Sequence, residues 1–150
     1  MGTYTFEIEP GHVLAFARAV GDQRLAREVP ENGTVVPLTF PAASIQFDPQ
    51  HMRGLRPTGA LAVGSSTPGG SVLHAEQEFE YFAGMHVGDR LAVTEYEGAS
   101  WQKQSRRPGT LKFRELIREY RNTAGELVLR SRMVLVDTEF AANEVDAGHG

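Results

Sequence analysis

Strict alternation in the second half of the chain limits its fold more than any other feature. Leu73, Ala75, Gln77, Phe79 and Tyr81 alternate with His74, Glu76, Glu78, Glu80 and Phe82. A period of two puts the two sets on opposite faces of a strand. The pattern returns in part from Leu91 to Trp101. It returns again where Leu111, Phe113, Glu115, Ile117 and Glu119 interleave with Lys112, Arg114, Leu116, Arg118 and Tyr120, and a last strand is expected from Leu127 to Val136. Turn residues separate these runs at Gly84 to Asp89, at Arg107-Pro108-Gly109 and at Asn122 to Gly125. Strands joined by short turns pair as antiparallel neighbours, so the second half is predicted to be a meander. A sheet with one apolar face must be covered, and the first half has to supply the cover.

There, Tyr4, Phe6 and Ile8 alternate as a strand would, until Pro10 and Gly11 break the pattern. From His12 the apolar residues Val13, Phe16, Ala17 and Val20 fall on one face of a short helix, which Gly21 is suited to end. Asp22 to Pro37 reads as loop. Thr39 is placed to cap a second helix with Phe40, Ala43 and Phe47 along its apolar face, kinked at Pro49. Arg53 to Gly70 is rich in Gly and Pro and reads as loop, with a short element at Ala60 to Val63. The outline is α+β: strand, helix, helix, then long antiparallel strands. A curved antiparallel sheet wrapped around a long central helix starting at Thr39 is the hot-dog fold. Periodicity alone leaves a generic α+β sandwich as its rival. One domain over residues 1–138 and a disordered tail over 139–150 are expected, since the tail is small, acidic and glycine-rich.

Composition narrows the functions. There is no cysteine, hence no disulfide, thiolate zinc site or cysteine nucleophile. The net charge of -4 argues against a nucleic-acid partner held by phosphate neutralisation. No apolar run approaches the roughly 20 residues of a membrane span, and no signal peptide is recognisable, so a cytoplasmic protein is expected.

Several stretches carry a resemblance. Phe16 to Asp22 (Phe-Ala-Arg-Ala-Val-Gly-Asp), Pro37 to Pro41 (Pro-Leu-Thr-Phe-Pro) and Leu73 to Tyr81 resemble the MaoC-like dehydratases, and within them the FAS1-like dehydratase domain, the N-terminal half of double hot-dog hydratases. Val87-Gly88-Asp89-Arg90-Leu91, Tyr120-Arg121-Asn122 and Gly125 to Val128 extend the likeness. The resemblance implies a hot-dog fold, an acyl thioester of coenzyme A or acyl carrier protein as substrate, no permanently bound cofactor, and hydro-lyase chemistry. That chemistry is enoyl-CoA hydration or 3-hydroxyacyl dehydration, as in fatty acid metabolism. Active members resemble one another in a loop reading Gly-Asp-x-Asn-Pro-x-His, whose Asp and His hold a water for acid–base work. Gly21 and Asp22 match its start, but Arg24 stands for the Asn, Leu25 for the Pro and Arg27 for the His. A guanidinium stays protonated and cannot act as the base. The resemblance therefore implies a thioester-binding subunit without its own Asp/His pair, completed as a homodimer or as a heterodimer with a catalytic MaoC-like subunit. The alternative is a self-sufficient hydratase or acyl-CoA thioesterase using rearranged residues.

Each candidate residue has a plainer reading beside the functional one. Asp22 is a family remnant acid or a turn residue after a helix-ending Gly. Thr39, with Phe40 after it, opens a helix whose amides suit a thioester oxyanion, or merely caps that helix. His74 is a candidate base, but His74, Glu76, Glu78 and Glu80 form a straight row, which rarely converges on a metal, so a solvated or subunit-facing strip is expected and no metal site. Trp101 is read as lining an acyl tunnel or an interface, or as core. Lys103, with Arg106 and Arg107, is placed to attract coenzyme A phosphates, or is a solvated turn.

Overall fold

The computed structural model describes residues 2–44, 66–67, 70–106 and 109–138. Its elements run β1 (Gly2–Glu7), α1 (Pro10–Val20), a 3-10 turn (Phe40–Ala43), β2 (Ser66–Thr67), β3 (Gly70–Tyr81), β4 (Arg90–Gln104), β5 (Thr110–Arg121) and β6 (Leu127–Asp137). The sheet order is β1-β4-β5-β6-β3-β2, so the three hairpin-linked strands β4, β5 and β6 are neighbours, as the alternation predicts. Strand β3, expected beside β4 across Gly84 to Asp89, lies beside β6 instead, because that connection bonds to residues 33–36 and to Ile8 rather than closing a hairpin. Antiparallel β1 places Phe6 opposite Leu91 and Tyr4 opposite Val93. The described residues fall into two compact units, each holding one half of the long strands.

The first unit holds residues 2–44 with Phe79–Glu95 and Arg118–Ser131. Helix α1 begins at Pro10, two residues before the sequence suggests, because proline's fixed φ and missing N–H suit a first helical turn. It ends at Gly21 in the left-handed conformation, φ 75°, as expected. Val13 and Ala17 are buried, and Phe16 packs on the core beside them. The core is aromatic at its centre. Phe40 stacks on Phe6 at 5.6 Å and meets Phe16 edge-on at 5.4 Å, while Phe6 meets Tyr120 edge-on at 6.2 Å. Such pairs add about 0.5–1.5 kcal/mol each beyond the area they bury. Residues Gly33 to Val36 pair with Met85 to Val87, and the turn between Met85 and Arg90 is tied by Ile8 N–H to Asp89 O and Gly88 N–H to Ile8 O, both 2.9 Å. Gly88 has φ 94° there, which a side chain would strain.

The helix expected from Thr39 starts differently. Thr39 makes no capping hydrogen bond through its side chain, and Phe40–Ala43 is a single 3-10 turn closed by Ser44 N–H on Pro41 O. Pro41 stands in the first turn, where its missing N–H is no loss. Phe47, the kink at Pro49, the element at Ala60 to Val63, the tail 139–150 and the rest of the helix expected from Thr39 fall on residues outside those described.

The second unit holds the other halves of β3 to β6, with Tyr96–Ile117 and residues 132–138. Its buried cluster is Leu116, Met133 and Leu135, with Val72 against it. Strand β4 runs on to Gln104, beyond the expected Trp101. Gly98 is needed at a close approach, since a Cβ there would lie 2.6 Å from Glu115 Oε2 and 3.2 Å from Ile117 Cγ1.

Candidate functional site

The loop after α1 holds the residues that match the family motif. Asp22 follows the helix-ending glycine, and its N–H returns to Ala17 O at 2.9 Å. Arg24 grips its carboxylate at both oxygens: Nε donates to Oδ1 at 3.1 Å and Nη2 to Oδ2 at 2.8 Å, and the Arg24 backbone N–H adds a third bond to Oδ1. The side-chain bonds from Arg24 hold the Asp22 carboxyl below its ordinary range. A carboxylate held ionised in this way has no proton of its own to donate and a lowered proton affinity. Arg27, at the position matching the motif's histidine, is exposed.

A second polar group was hidden from sequence reasoning. In the first unit, Ser44 Oγ bridges Tyr4 Oη at 3.1 Å and Tyr120 Oη at 2.9 Å, and Tyr120 Oη also reaches Pro41 O at 3.4 Å. Burial pushes the Tyr4 and Tyr120 phenols well above their usual range. Beside them Arg118, only 2% exposed, donates from Nε to Glu95 Oε2 at 2.8 Å. Its Nη2 is buried and has no hydrogen-bond partner. Burial opposes the charge on Arg118, and the neighbouring Tyr120 and Tyr4 oxygens and Glu95 outweigh it, so the guanidinium is held charged. The signal was present in the alternation: Arg118 lies in phase with Leu116 and Tyr120, and Glu95 in phase with Leu91 and Val93.

The remaining candidates are scattered. Phe40 is fully buried in the aromatic core, and Thr39 is exposed. His74 is exposed on β3, and its Nε2 lies 3.0 Å from Glu76 O. The row of glutamates beside it is an ion-pair strip. Arg132 on β6 reaches Glu76 at 3.1 Å, Glu78 at 3.8 Å and Glu115 at 2.5 Å. The Ala99 N–H and then Arg132 hold Glu115 below its ordinary range. In the first unit Arg130 links Glu80 with Glu119, and Arg121 closes on Glu119. Against the upward push of burial, the two arginines hold Glu119 low. No cluster of three or more potential metal ligands occurs among the described residues. Trp101 stacks on Phe113 at 5.3 Å with the rings 2° from parallel, and Lys103 Nζ lies 5.6 Å from the Phe113 ring centre.

Comparison with known proteins fits this geometry. The family described as "FAS1-like, dehydratase domain region" matches residues 1–131. The chain belongs to the FAS1-like dehydratase family. No curated protein matches the sequence. Among solved structures, HtdX from Mycobacterium tuberculosis is similar with a TM-score of 0.61 at 19% identity, over 100% of this chain and 52% of that one. The C-terminally truncated HadBC (3R-hydroxyacyl-ACP dehydratase) complex from the same organism gives 0.54 at 18%, covering 89% and 90%. The ChsH1–ChsH2 complex, also from M. tuberculosis, gives 0.58 at 15%, covering 94% and 85%. The chain thus spans about half the length of HtdX and most of the subunits matched in the two complexes. These similarities establish the hot-dog fold of the MaoC-like dehydratases, over the generic sandwich that periodicity left open. Among the described residues no helix is long and apolar enough to cross a membrane.

Proposed function

We propose that this FAS1-like dehydratase chain is an acyl-thioester-binding subunit of an enoyl-thioester hydratase or 3-hydroxyacyl dehydratase, and that a second hot-dog chain supplies the acid–base pair. The observation that carries the proposal is the clamp of Arg24 on Asp22. Three hydrogen bonds from Arg24 on its two oxygens hold the one motif acid ionised, and Arg27 stands at the position matching the histidine. Losing a positioned acid or base costs about 10²–10⁴-fold in rate.

One further observation supports a partner: the structural neighbours include two complexes, HadBC and ChsH1–ChsH2.

The test is hydration of crotonyl-CoA and a longer trans-2-enoyl-CoA, followed at the enoyl absorbance. The purified chain alone should give a flat trace, and a complex with a MaoC-like subunit carrying the intact Asp/His motif should give a rate above that of the subunit alone. A clear rate from the chain alone refutes the scaffold reading, with Asp22 the working acid if Asp22→Asn abolishes it and other residues at work if the rate survives. Free-thiol release from a saturated acyl-CoA would instead favour a thioesterase.

A further inference from the structure

The basic residues are unevenly spread. Residues 101–114 hold five Lys or Arg and no Asp or Glu, in a chain whose net charge is -4. Of these, residues 101–106 and 109–114 are described and lie at the ends of β4 and β5, where Ser105 N–H closes on Gly109 O at 3.1 Å and Gln104 Nε2 reaches Thr110 Oγ1 at 3.3 Å. Elsewhere in the same unit Arg132 is surrounded by three carboxylates. At the hairpin end no described ion pair joins Lys103 or Arg106 to a carboxylate. The same place carries the Trp101–Phe113 stack with Lys103 over Phe113, outside the buried cluster of Leu116, Met133 and Leu135. A hollow lies beside it, lined by Ser100, Trp101, Gln102, Lys112 and Phe113.

Flat aromatic surface next to uncompensated cations suits a ligand that is itself flat at one end and anionic at the other. Base–aromatic stacking contributes roughly 1–3 kcal/mol per base, and lysine binds phosphate as a point charge. An acidic protein surface would use the cations but has no need of the ring pair. We propose that the β4–β5 hairpin end binds the adenosine 3′-phosphate 5′-diphosphate end of coenzyme A, stacking adenine on the Trp101–Phe113 pair with Lys103 and Arg106 facing the phosphates. This rests on the thioester-binding reading above, and it selects coenzyme A over acyl carrier protein as the carrier.

Trp101 is the only tryptophan, so its fluorescence reports on this site alone. Coenzyme A and adenosine 3′,5′-bisphosphate are expected to quench it saturably and competitively, more weakly as salt rises, while pantetheine leaves it unchanged. Lys103→Gln combined with Arg106→Gln should weaken coenzyme A about tenfold or more, and Phe113→Leu about fivefold or more. Unchanged thermal unfolding of the exposed Lys103→Gln, Arg106→Gln variant shows that folding is not the cause. Three results overturn the proposal: no quench by coenzyme A up to millimolar concentration at low salt, an equal quench by pantetheine, or quenching by an acidic acyl carrier protein that adenosine 3′,5′-bisphosphate does not displace. Nucleotide binding without any gain in hydration on adding a catalytic subunit would sink the scaffold reading and leave this site standing. Partner stimulation that is equal with pantetheine and coenzyme A thioesters would sink the site and leave the scaffold reading.

Discussion

Glu95→Ala should be among the most damaging single changes in the first unit. It removes the one carboxylate bonded to Arg118, whose side chain is 2% exposed and whose Nη2 already lacks a partner. An exposed ion pair contributes about 0.2–1 kcal/mol, but leaving a buried charge alone costs about 3–5 kcal/mol. The burial of Arg118 puts this pair in the second class. For a domain of this size that is a fall in midpoint of about 6–20 °C, and a large share of the 5–15 kcal/mol that holds such domains folded. Replacing both members, as in Glu95→Leu with Arg118→Met, removes the desolvation cost along with the attraction, and should return stability to within about 2 kcal/mol of the parent or exceed it. The assay is urea unfolding of the parent, Glu95→Ala, Glu95→Leu, Arg118→Met and the double variant at one protein concentration, the last three and the parent read as a double-mutant cycle. A loss under 1 kcal/mol for Glu95→Ala, or a double variant as unstable as that single one, would refute the argument that burial sets the sign.

Other consequences can be measured with less apparatus. Arg24→Asn should let the Asp22 carboxyl titrate nearer its ordinary range, seen as an upward shift of its carboxyl-carbon NMR titration. Ser44→Ala strands two buried phenols and should cost about 1–3 kcal/mol in chemical unfolding, Tyr120 being partly rescued by Pro41 O. Gly98→Ala forces a methyl against Glu115 and Ile117 and should destabilise by about 1–3 kcal/mol. Tyr81, pushed up to about 12 by burial, donates to Leu38 O at 2.6 Å and stays protonated in the fold after an unfolded tyrosine has ionised near 10. Its stabilising effect is complete below pH 10 and is lost as pH rises through 12, so stability should fall across that window and Tyr81→Phe should flatten the fall.

The strands were legible because alternation is a local signal, and each long run that alternates became a strand. The turns were legible for the same reason. Asn122 accepts the N–H groups of Ala124 and Glu126 at 3.0 Å each, and Gly125 takes φ 83°. The polar centre was not legible as a site, because its members are far apart in sequence: Ser44 meets Tyr120 across 76 residues. What the sequence did contain was two charges out of keeping with their faces, Glu95 and Arg118, and a neighbouring-strand assignment that could have paired them. The Arg24 clamp shows a different gap. Sequence comparison registers Arg24 as a missing asparagine, whereas the geometry makes it an added cation that binds the remaining acid.

That distinction separates the residues that speak for the fold from those that speak for activity. Several of the pieces resembling the dehydratases include residues that shape the backbone, with Gly21 ending α1, Gly88 and Asp89 in the turn before β4, and Asn122 and Gly125 in the turn before β6. Any hot-dog chain with these turns needs such residues, whether or not it moves a proton, so the likeness there speaks for the scaffold. Activity has to be judged on residues 22–27, even though they also shape the loop: Asp22 N–H returns to Ala17 O, Leu25 N–H bonds Asp22 O, Ala26 O accepts from Arg18 and Leu25 packs on the core. In that loop two of the three departures add positive charge, Arg27 at the position matching the histidine and Arg24 bonded to Asp22, while Leu25 in place of the proline adds none. An active site that had merely drifted would leave Asp22 open to water or to a substituting donor. Here it is closed by a bidentate partner two residues away, an arrangement whose consistent use is to hold the loop.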